Sequence, residues 1–264
     1  MTFLQKLESR WATTSSMLCV GLDPDLARLP THFNGRLSAL ADFCISIVDS
    51  TAEYACAFKP QIAYFAAVGA EAQLERVCEH IRTAHPTIPL ILDAKRGDIG
   101  DTAKLYAREA FERYNADAVT VNPYLGTDSL EPFFAHVGRG VIVLCRTSNP
   151  GSGTFQTQLI DGRPLYEHVA ERAAREWATL GEVGLVVGAT YPEELARVRA
   201  IVGDMALLVP GVGAQGGDAE TVIRVGRASN GYGLVINSSR AILYASSGPD
   251  FAEAAAKAAA TTLT

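Results

Sequence analysis

The sequence predicts an α/β protein of the (β/α)8, or TIM, barrel type, and three observations lead to that prediction. The chain has 264 residues, nearly half of them apolar, a length at which such barrels form one domain. Tracts rich in Val, Ile and Leu recur eight times, and segments with helical periodicity lie between them. Polar residues collect at the carboxyl ends of the tracts, where barrel active sites lie. We therefore expect a single domain over residues 1–264.

The eight apolar tracts are predicted to be parallel strands, because most of them are apolar on both faces. In chain order they are Met17–Asp23, Tyr54–Lys59, Pro89–Lys95, Asp117–Asn122, Gly140–Arg146, Val183–Gly188, Met205–Pro210 and Tyr232–Asn237. The polar residues at their ends are Asp23, Lys59, Asp93, Lys95, Asn122, Arg146, Thr190 and Asn237. An open doubly wound sheet is the alternative, but no G-x-G-x-x-G turn follows the first tract.

Helices are predicted where apolar residues recur at steps of three and four. These segments are Ala41–Val48, Asp101–Tyr114, Pro164–Leu180, Pro192–Ile201 and Ala219–Val225, and the alanine-rich Phe251–Ala260 is predicted as a closing helix. The longest irregular piece is Thr147–Arg163, rich in Gly, Ser and Thr. Such a loop is either a lid over an active site or a surface excursion.

Composition excludes several classes of function. The net charge of −6 offers no basic face to nucleic acid or to an anionic membrane. The five cysteines are scattered and form no C-x-x-C pair, which favours free thiols in a reducing cytoplasm. We expect no secretory signal and no membrane span. The five histidines show no metal-ligand spacing, so no metal site is predicted.

Charged groups at the ends of the second and third tracts form the strongest candidate site. Asp93 and Lys95 are two residues apart, so on a regular strand they share a face. Neighbouring strands of a barrel would also place Lys59 beside Asp93. The alternative interpretation is a structural ion-pair network, or for Lys59 a lysine extending from a strand end into solvent.

Three further residues have both a structural and a functional interpretation. Asp98 lies near a helix start, where Asp is a favoured N-cap, and Asp101 competes for that role. Asp98 and Thr102 are four apart, so on a helix they share a face. Asp23 is either a turn residue before proline or an acceptor for sugar hydroxyls.

A phosphate site is predicted from the two loops that follow the last two tracts. Four glycines within Pro210–Asp218 permit close approach of a ligand to the backbone, and a helix follows them. Arg240, after the eighth tract, is a forked donor suited to phosphate oxygens. Barrels often bind phosphate with these two loops. Ordinary turn chemistry is the alternative for the glycines.

Together these motifs resemble the orotidine 5′-phosphate decarboxylase family, in its bacterial type 2 subgroup. The resemblance rests on Asp93-x-Lys95-x-x-Asp98-Ile99-x-x-Thr102, and on Gly21-Leu22-Asp23, Phe58-Lys59-Pro60, Ser148-Asn149-Pro150-Gly151, Pro210-Gly211-Val212, Gln215 and Arg240 in the expected order. It implies a cofactor-free, metal-free carboxy-lyase that converts orotidine monophosphate to UMP and CO2 in pyrimidine biosynthesis.

The resemblance also implies a role for each matching residue. Lys95 would protonate C6, with Asp93 beside the departing carboxylate. Lys59 and Asp23 would contact the ribose hydroxyls, and Asp98 and Thr102 would reach into the neighbouring subunit's site, which implies a homodimer with shared active sites. The remaining matches are Ser148 for the pyrimidine ring, and Gln215 and Arg240 for the phosphate.

Two alternative functions stay open at this point. A Mg²⁺-dependent sugar-phosphate decarboxylase of the same superfamily would carry an acid where Lys59 stands, and a lysine there repels a divalent ion. A non-catalytic nucleotide-binding barrel is compatible with the fold. It would not need the full set formed by Lys59, Asp93, Lys95 and Asp98.

Overall fold

The structure, a computed structural model, describes residues 1–212 and 218–262, and its strands and helices alternate along the chain. The strands are β1 (Leu18–Leu22), β2 (Ala57–Pro60), β3 (Ile91–Arg96), β4 (Ala118–Val121), β5 (Gly140–Arg146), β6 (Leu159–Ile160), β7 (Arg163–Pro164), β8 (Glu182–Val187), β9 (Leu207–Pro210) and β10 (Leu234–Ser238). Strands β6 and β7 pair only with each other, and the other eight belong to one parallel sheet. The predicted (β/α)8 barrel is therefore confirmed.

The helices include all those predicted and several that were not. They are α1 (Phe3–Thr14), α2 (Ala39–Thr51), α3 (Ile62–Ala66), α4 (Glu71–Ala84), α5 (Gly100–Arg108), α6 (Glu131–Phe134), α7 (Gly153–Gln156), α8 (Leu165–Arg175), α9 (Pro192–Val202), α10 (Ala219–Gly226), α11 (Arg240–Leu243) and α12 (Phe251–Thr261). Helix α1 begins with a capping box between Thr2 and Gln5, a pattern legible in the sequence. A π-helical turn over Glu109–Arg113 continues α5 and completes the predicted helical segment.

The predicted loop over Thr147–Arg163 is more ordered than its composition indicated. It contains a 3-10 turn (Pro150–Ser152), helix α7 and the β6–β7 hairpin. Glycine and serine are poor markers of regular structure, but here Gly151 and Ser152 lie in the 3-10 turn and Gly153 begins α7. The expectation of a wholly irregular segment was wrong.

The described chain falls into two compact units. The first comprises Met1–Ala94, Arg108–Ala118 and Ser238–Thr264, and the second comprises Lys95–Ala107 and Val119–Asn237. Among the residues described, no helix is both long enough and apolar enough to span a bilayer.

In the first unit, the register of the strands positions the charged groups. Strands β1 and β2 are parallel, with Gly21 opposite Lys59, and a single bridge joins Gln61 to Asp93. Every residue of β1 and β2 is buried, as expected for strands covered on both faces. The carboxyl ends of β1 and β2 therefore lie close to Asp93 of β3 at one edge of this unit.

A buried carboxylate ties the amino-terminal helix to the sheet of the same unit. Asp117 accepts hydrogen bonds from the ammonium of Lys6 at 2.9 Å, from the guanidinium of Arg82 at 2.8 Å and from the backbone N–H of Leu90 at 2.9 Å. Because Asp117 is almost fully buried, this pairing replaces the water that the carboxylate loses on folding.

In the second unit, β5, β8, β9 and β10 pair in that order, all parallel. The guanidinium of Arg199 on α9 donates hydrogen bonds to the carbonyl oxygens of Gly226, Gly203, Met205 and Gly233. Burial lowers the pKa of Arg199 to about 10. One side chain thereby satisfies four carbonyl groups where helices end and strands begin.

Candidate functional site

A buried ion pair stands at the ends of β2 and β3. The Nζ of Lys59 donates a hydrogen bond to Oδ2 of Asp93 at 2.9 Å, and the side chains are only 5% and 9% exposed. The predicted placement of Lys59 beside Asp93 is thus observed. Each of these two buried charges offsets part of the desolvation cost that burial imposes on the other.

The charge state of Lys59 follows from its surroundings. Burial acts to lower its pKa, but the nearby carboxylates of Asp93 and Asp23 outweigh burial and raise the pKa above its ordinary value. Lys59 is therefore an ammonium at neutral pH. A fixed positive charge at this position binds hydroxyl or carboxylate oxygens and disfavours a divalent cation.

Asp23, which directly follows β1, presents an acceptor atom to the site. Its Oδ1 is buried and has no hydrogen-bond partner among the residues that the structure describes. Buried polar atoms are normally paired, so this oxygen is suited to receive a ligand's hydroxyl group. The observation favours the sugar-binding interpretation of Asp23 over ordinary turn chemistry.

Tyr244 fixes the backbone around Asp23, and the sequence analysis did not find it. Its hydroxyl group donates to the carbonyl oxygen of Asp23 at 3.3 Å and accepts from the N–H of Asp25 at 2.8 Å. Burial raises the pKa of Tyr244 to about 12, so the hydroxyl stays protonated and can donate. No local pattern links residues more than 200 positions apart, so this contact had no sequence signal.

Arg240 is the first residue of α11, and its side chain is exposed. Gln215, predicted to bind phosphate with it, lies outside the described residues. The preceding Gly211 has a φ of 96°, a backbone conformation that glycine adopts without strain.

In the second unit, Lys95 is exposed and its backbone is left-handed, with a φ of 48°. Its N–H donates to Oγ1 of the buried Thr120 on β4 at 2.9 Å. Because Lys95 departs from strand geometry, the alternation argument that placed it on the same face as Asp93 does not hold at this residue. Non-glycine residues with such backbone angles cluster at functional sites.

Asp98 and Thr102 differ from their predicted arrangement. Helix α5 begins at Gly100, whose φ is 55°, so Asp98 lies before the helix and not one turn below Thr102 on it. The Oδ1 of Asp98 accepts from the N–H of Ile99 at 2.8 Å. Asp101, its competitor for the capping role, pairs instead with Lys104 at 2.8 Å. Asp98 is half-buried and Thr102 is exposed.

Ser148 is half-buried and packs against a glycine that follows β8. A Cβ atom added to Gly188 would lie 2.8 Å from the Cβ of Ser148 and 2.9 Å from its backbone nitrogen. Real side chains do not approach so closely, so only glycine permits this packing. The position of Ser148 therefore depends on Gly188.

Arg146, at the end of β5, anchors the segment that carries Ser148. Its guanidinium pairs with Glu194 at 2.5 Å, donates to Oγ of Ser152 and lies over the ring of Tyr191. Because Arg146 is almost fully buried in these contacts, it positions the loop and is not available to a ligand. The sequence analysis noted Arg146 only as one of the polar strand ends.

Residues 16–258 match the model of a family described as the orotidine 5′-phosphate decarboxylase / HUMPS family. The chain belongs to this family. The predicted resemblance is confirmed, and with it the prediction that the chain is an enzyme of the carboxy-lyase class.

Individual members of the orotidine 5′-phosphate decarboxylase family match nearly end to end. The orotidine 5′-phosphate decarboxylase of Janthinobacterium sp. (strain Marseille) is 59% identical over 259 residues, which cover 98% of this chain and 96% of the relative. That of Ralstonia pickettii (strain 12J) is 60% identical over 262 residues, covering 99% and 97%. The structure of Leishmania donovani OMP decarboxylase has a TM-score of 0.85 at 41% identity, covering 100% of this chain and 99% of that one.

Proposed function

We propose that this chain converts orotidine 5′-phosphate to UMP and CO2 in pyrimidine biosynthesis. The observation that carries the proposal is the buried Lys59–Asp93 ion pair, followed two residues later by the exposed, conformationally strained Lys95. The curated relatives, about 60% identical, are named for this activity. In the proposal, residues 1–264 form one cytoplasmic domain.

The chemistry requires a positive group at the carbon that loses its carboxyl group. Loss of CO2 from C6 leaves a carbanion that no part of the substrate delocalises. We assign Lys95 as the ammonium that stabilises this charge and then donates a proton to C6. Asp93 lies beside the departing carboxylate, and repulsion between the two carboxylates is relieved as CO2 leaves.

The remaining residues supply binding energy far from the reacting carbon. Lys59 and Asp23 hold the ribose hydroxyls, Ser148 addresses the pyrimidine ring, and Gln215 and Arg240 hold the phosphate. The required barrier reduction is on the order of 20 kcal/mol, near the top of the enzymatic range, and one lysine does not supply it. Binding of the phosphate and ribose provides energy that positions the charged groups around C6.

We also propose a homodimer in which Asp98 and Thr102 enter the neighbouring subunit's site. Ile99 and Leu105, on the same segment, are 57% and 60% exposed, and large apolar side chains in that state favour an interface. Asp98 of the partner subunit would then add a second carboxylate beside Lys95.

The decisive experiment follows the ultraviolet absorbance of orotidine 5′-phosphate as it is consumed. We expect turnover by the unmodified protein and none by Lys95→Ala, with nucleotide binding retained. Lys104→Ala is the matched control, because Lys104 is an exposed lysine on α5 whose partner is Asp101. Near-normal turnover by Lys95→Ala would refute the proton-donor role, and no turnover by the unmodified protein would favour the non-catalytic alternative.

The phosphate assignment and the metal-dependent alternative have separate tests. Arg240→Ala should raise KM while Arg227→Ala, an exposed arginine at the end of α10, leaves it unchanged. An equal KM in both variants would show that Arg240 does not contribute to phosphate binding.

Turnover should also continue in the presence of a chelator, and a requirement for added Mg²⁺ would instead favour the sugar-phosphate decarboxylase alternative.

A further inference from the structure

Two histidines converge on one carboxylate oxygen in the first unit, and none of these three residues has a role assigned above. The Nε2 atoms of His80 and His85 each lie 2.7 Å from Oδ1 of Asp49. We call Asp49, His80 and His85 the 49–80–85 cluster. Its three donor atoms all lie within 4.8 Å of one another.

The fold brings the cluster together from two packed helices. Asp49 is in the last turn of α2, His80 is in the last turns of α4, and His85 directly follows α4. Helices α2 and α4 lead into β2 and β3, whereas Lys59 and Asp93 lie toward the carboxyl ends of those strands. In a barrel the amino ends of the strands, which follow the helices, serve stability, and the carboxyl ends serve catalysis.

The donor set matches the ligands preferred by a particular class of ion. Imidazole nitrogens and a carboxylate oxygen bind Zn²⁺ and related divalent transition metals, with metal–ligand distances of about 2.0–2.2 Å. A tetrahedral ion would hold its ligand atoms about 3.3 Å apart, so each Nε2 would move away from Oδ1 by roughly half an ångström.

The cluster is also accessible and suitably charged. The side chains of Asp49, His80 and His85 are 51%, 26% and 21% exposed, so an ion can enter and keep a water molecule as its fourth ligand. Partial burial acts to raise the pKa of Asp49, but hydrogen bonds from His85 and His80 outweigh it and lower the pKa. The carboxylate is therefore ionised at neutral pH.

From this geometry we propose that Asp49, His80 and His85 form a binding site for a divalent transition-metal ion of the zinc class. The ion clamps α2 to α4 and stabilises the barrel without taking part in the decarboxylation. The sequence analysis missed the site because Asp49 is distant in sequence and the histidine spacing matches no ligand motif.

Titration calorimetry of the full-length protein with ZnCl2 tests the proposal. We expect one ion per chain and a rise in the melting temperature. Asp49→Asn and His85→Gln should each weaken binding by about tenfold or more, since even substitutions outside the ligand set cost that much. His32→Gln, at an exposed histidine of the same unit, should bind as tightly as the unmodified protein.

A second measurement keeps the test independent of calorimetry and of folding defects. Co²⁺ bound by nitrogen and oxygen donors has a visible absorption spectrum, which should form with the unmodified protein and be lost in His80→Gln. Circular dichroism verifies that each variant is folded, and orotidine 5′-phosphate turnover should be unchanged in His80→Gln. Absence of binding by the unmodified protein, or equal binding by the cluster variants, would overturn the proposal.

Discussion

At the residue scale, Lys95 combines the proposed proton-donating side chain with an unfavourable backbone. Its φ of 48° is one that glycine adopts freely and that other residues occupy at a cost of order 1 kcal/mol. Its N–H is held by Thr120, whose hydroxyl group lies on the adjoining strand. Strain retained at the proposed proton donor indicates that the surrounding structure, and not local preference, determines where the ammonium sits.

Comparison of two substitutions isolates this strain. Lys95→Gly should be more stable than Lys95→Ala by about 0.5–1 kcal/mol, the reverse of the usual effect of glycine, because only alanine retains the penalty of a left-handed backbone. Both variants lack the amine, so the side-chain contribution cancels. Urea unfolding provides the measurement, and a less stable glycine variant would show that residue 95 is unstrained.

The raised pKa of Lys59 leads to a second prediction, on the pH dependence of stability. The pKa of Lys59 in the folded protein lies above its unfolded value of about 10.4. The stabilisation contributed by its charged form is therefore complete below the unfolded pKa and is lost as pH rises through the folded pKa. Lys59→Met removes the ammonium that pairs with the buried Asp93, and should lower the free energy of unfolding by about 3–5 kcal/mol.

The loss should be nearly constant between about pH 6 and 9, because Lys59 stays charged throughout that range. Denaturant unfolding of both proteins across this range checks the prediction. A difference that disappears toward pH 9 would mean that Lys59 loses its proton there.

The sequence allowed a correct prediction of which residues are close together where the order of the strands alone determines it. Lys59 was expected beside Asp93 because consecutive strands of a barrel are neighbours, and the hydrogen bond between them is present. The left-handed Lys95 could not be predicted, because lysine has no preference for that conformation and tertiary packing imposes it.

At the element scale, the segment after β5 is built around short structured pieces. Gln156 of α7 folds back to accept from the N–H of Thr147 at 2.8 Å, and its amide donates to Oγ1 of Thr147 at 2.9 Å. Together with Arg146, these contacts hold both ends of the stretch that contains Ser148. Apolar periodicity could not reveal this order, because the pieces are too short to show a period.

The close packing of Gly188 gives a test of this element. Gly188→Ala should push Ser148 away and lower kcat/KM by roughly tenfold to a hundredfold, since displacements near 1 Å have effects of that size. Gly151→Ala is the matched control, because an added Cβ there would lie 3.7 Å from its nearest neighbour. Equal kinetics in both variants would show that Ser148 has no role in substrate binding.

The start of α5 shows where the rule that residues four apart share one face of a helix leads to a wrong prediction. Asp98 and Thr102 have the four-residue spacing of one helix face, yet α5 begins only at Gly100. Helix boundaries are the least predictable part of an element, and a positive φ at glycine is a backbone feature that periodicity does not encode.

At the scale of the whole molecule, the proposed shared active sites predict complementation between inactive variants. A mixture of Asp98→Ala and Lys95→Ala proteins should regain part of the decarboxylase activity, because hybrid dimers contain one site with both native residues. Ultraviolet assays before and after subunit exchange provide the measurement. Lack of recovery, with exchange verified by a mass label, would contradict the shared site.

Because the Lys59–Asp93 pair is buried, the cost of dehydrating its two charges arises when the protein folds and not when a nucleotide binds. Both groups are already buried before a nucleotide binds. The free-energy cost of removing water from them therefore arises during folding and is not repeated in each catalytic cycle. Two apolar side chains of similar volume would make a sturdier barrel, since buried ion pairs are often less stabilising than hydrophobic replacements. Under the proposed mechanism such a barrel would be inactive, because it would lack the ammonium and the carboxylate that Lys59 and Asp93 contribute to the site.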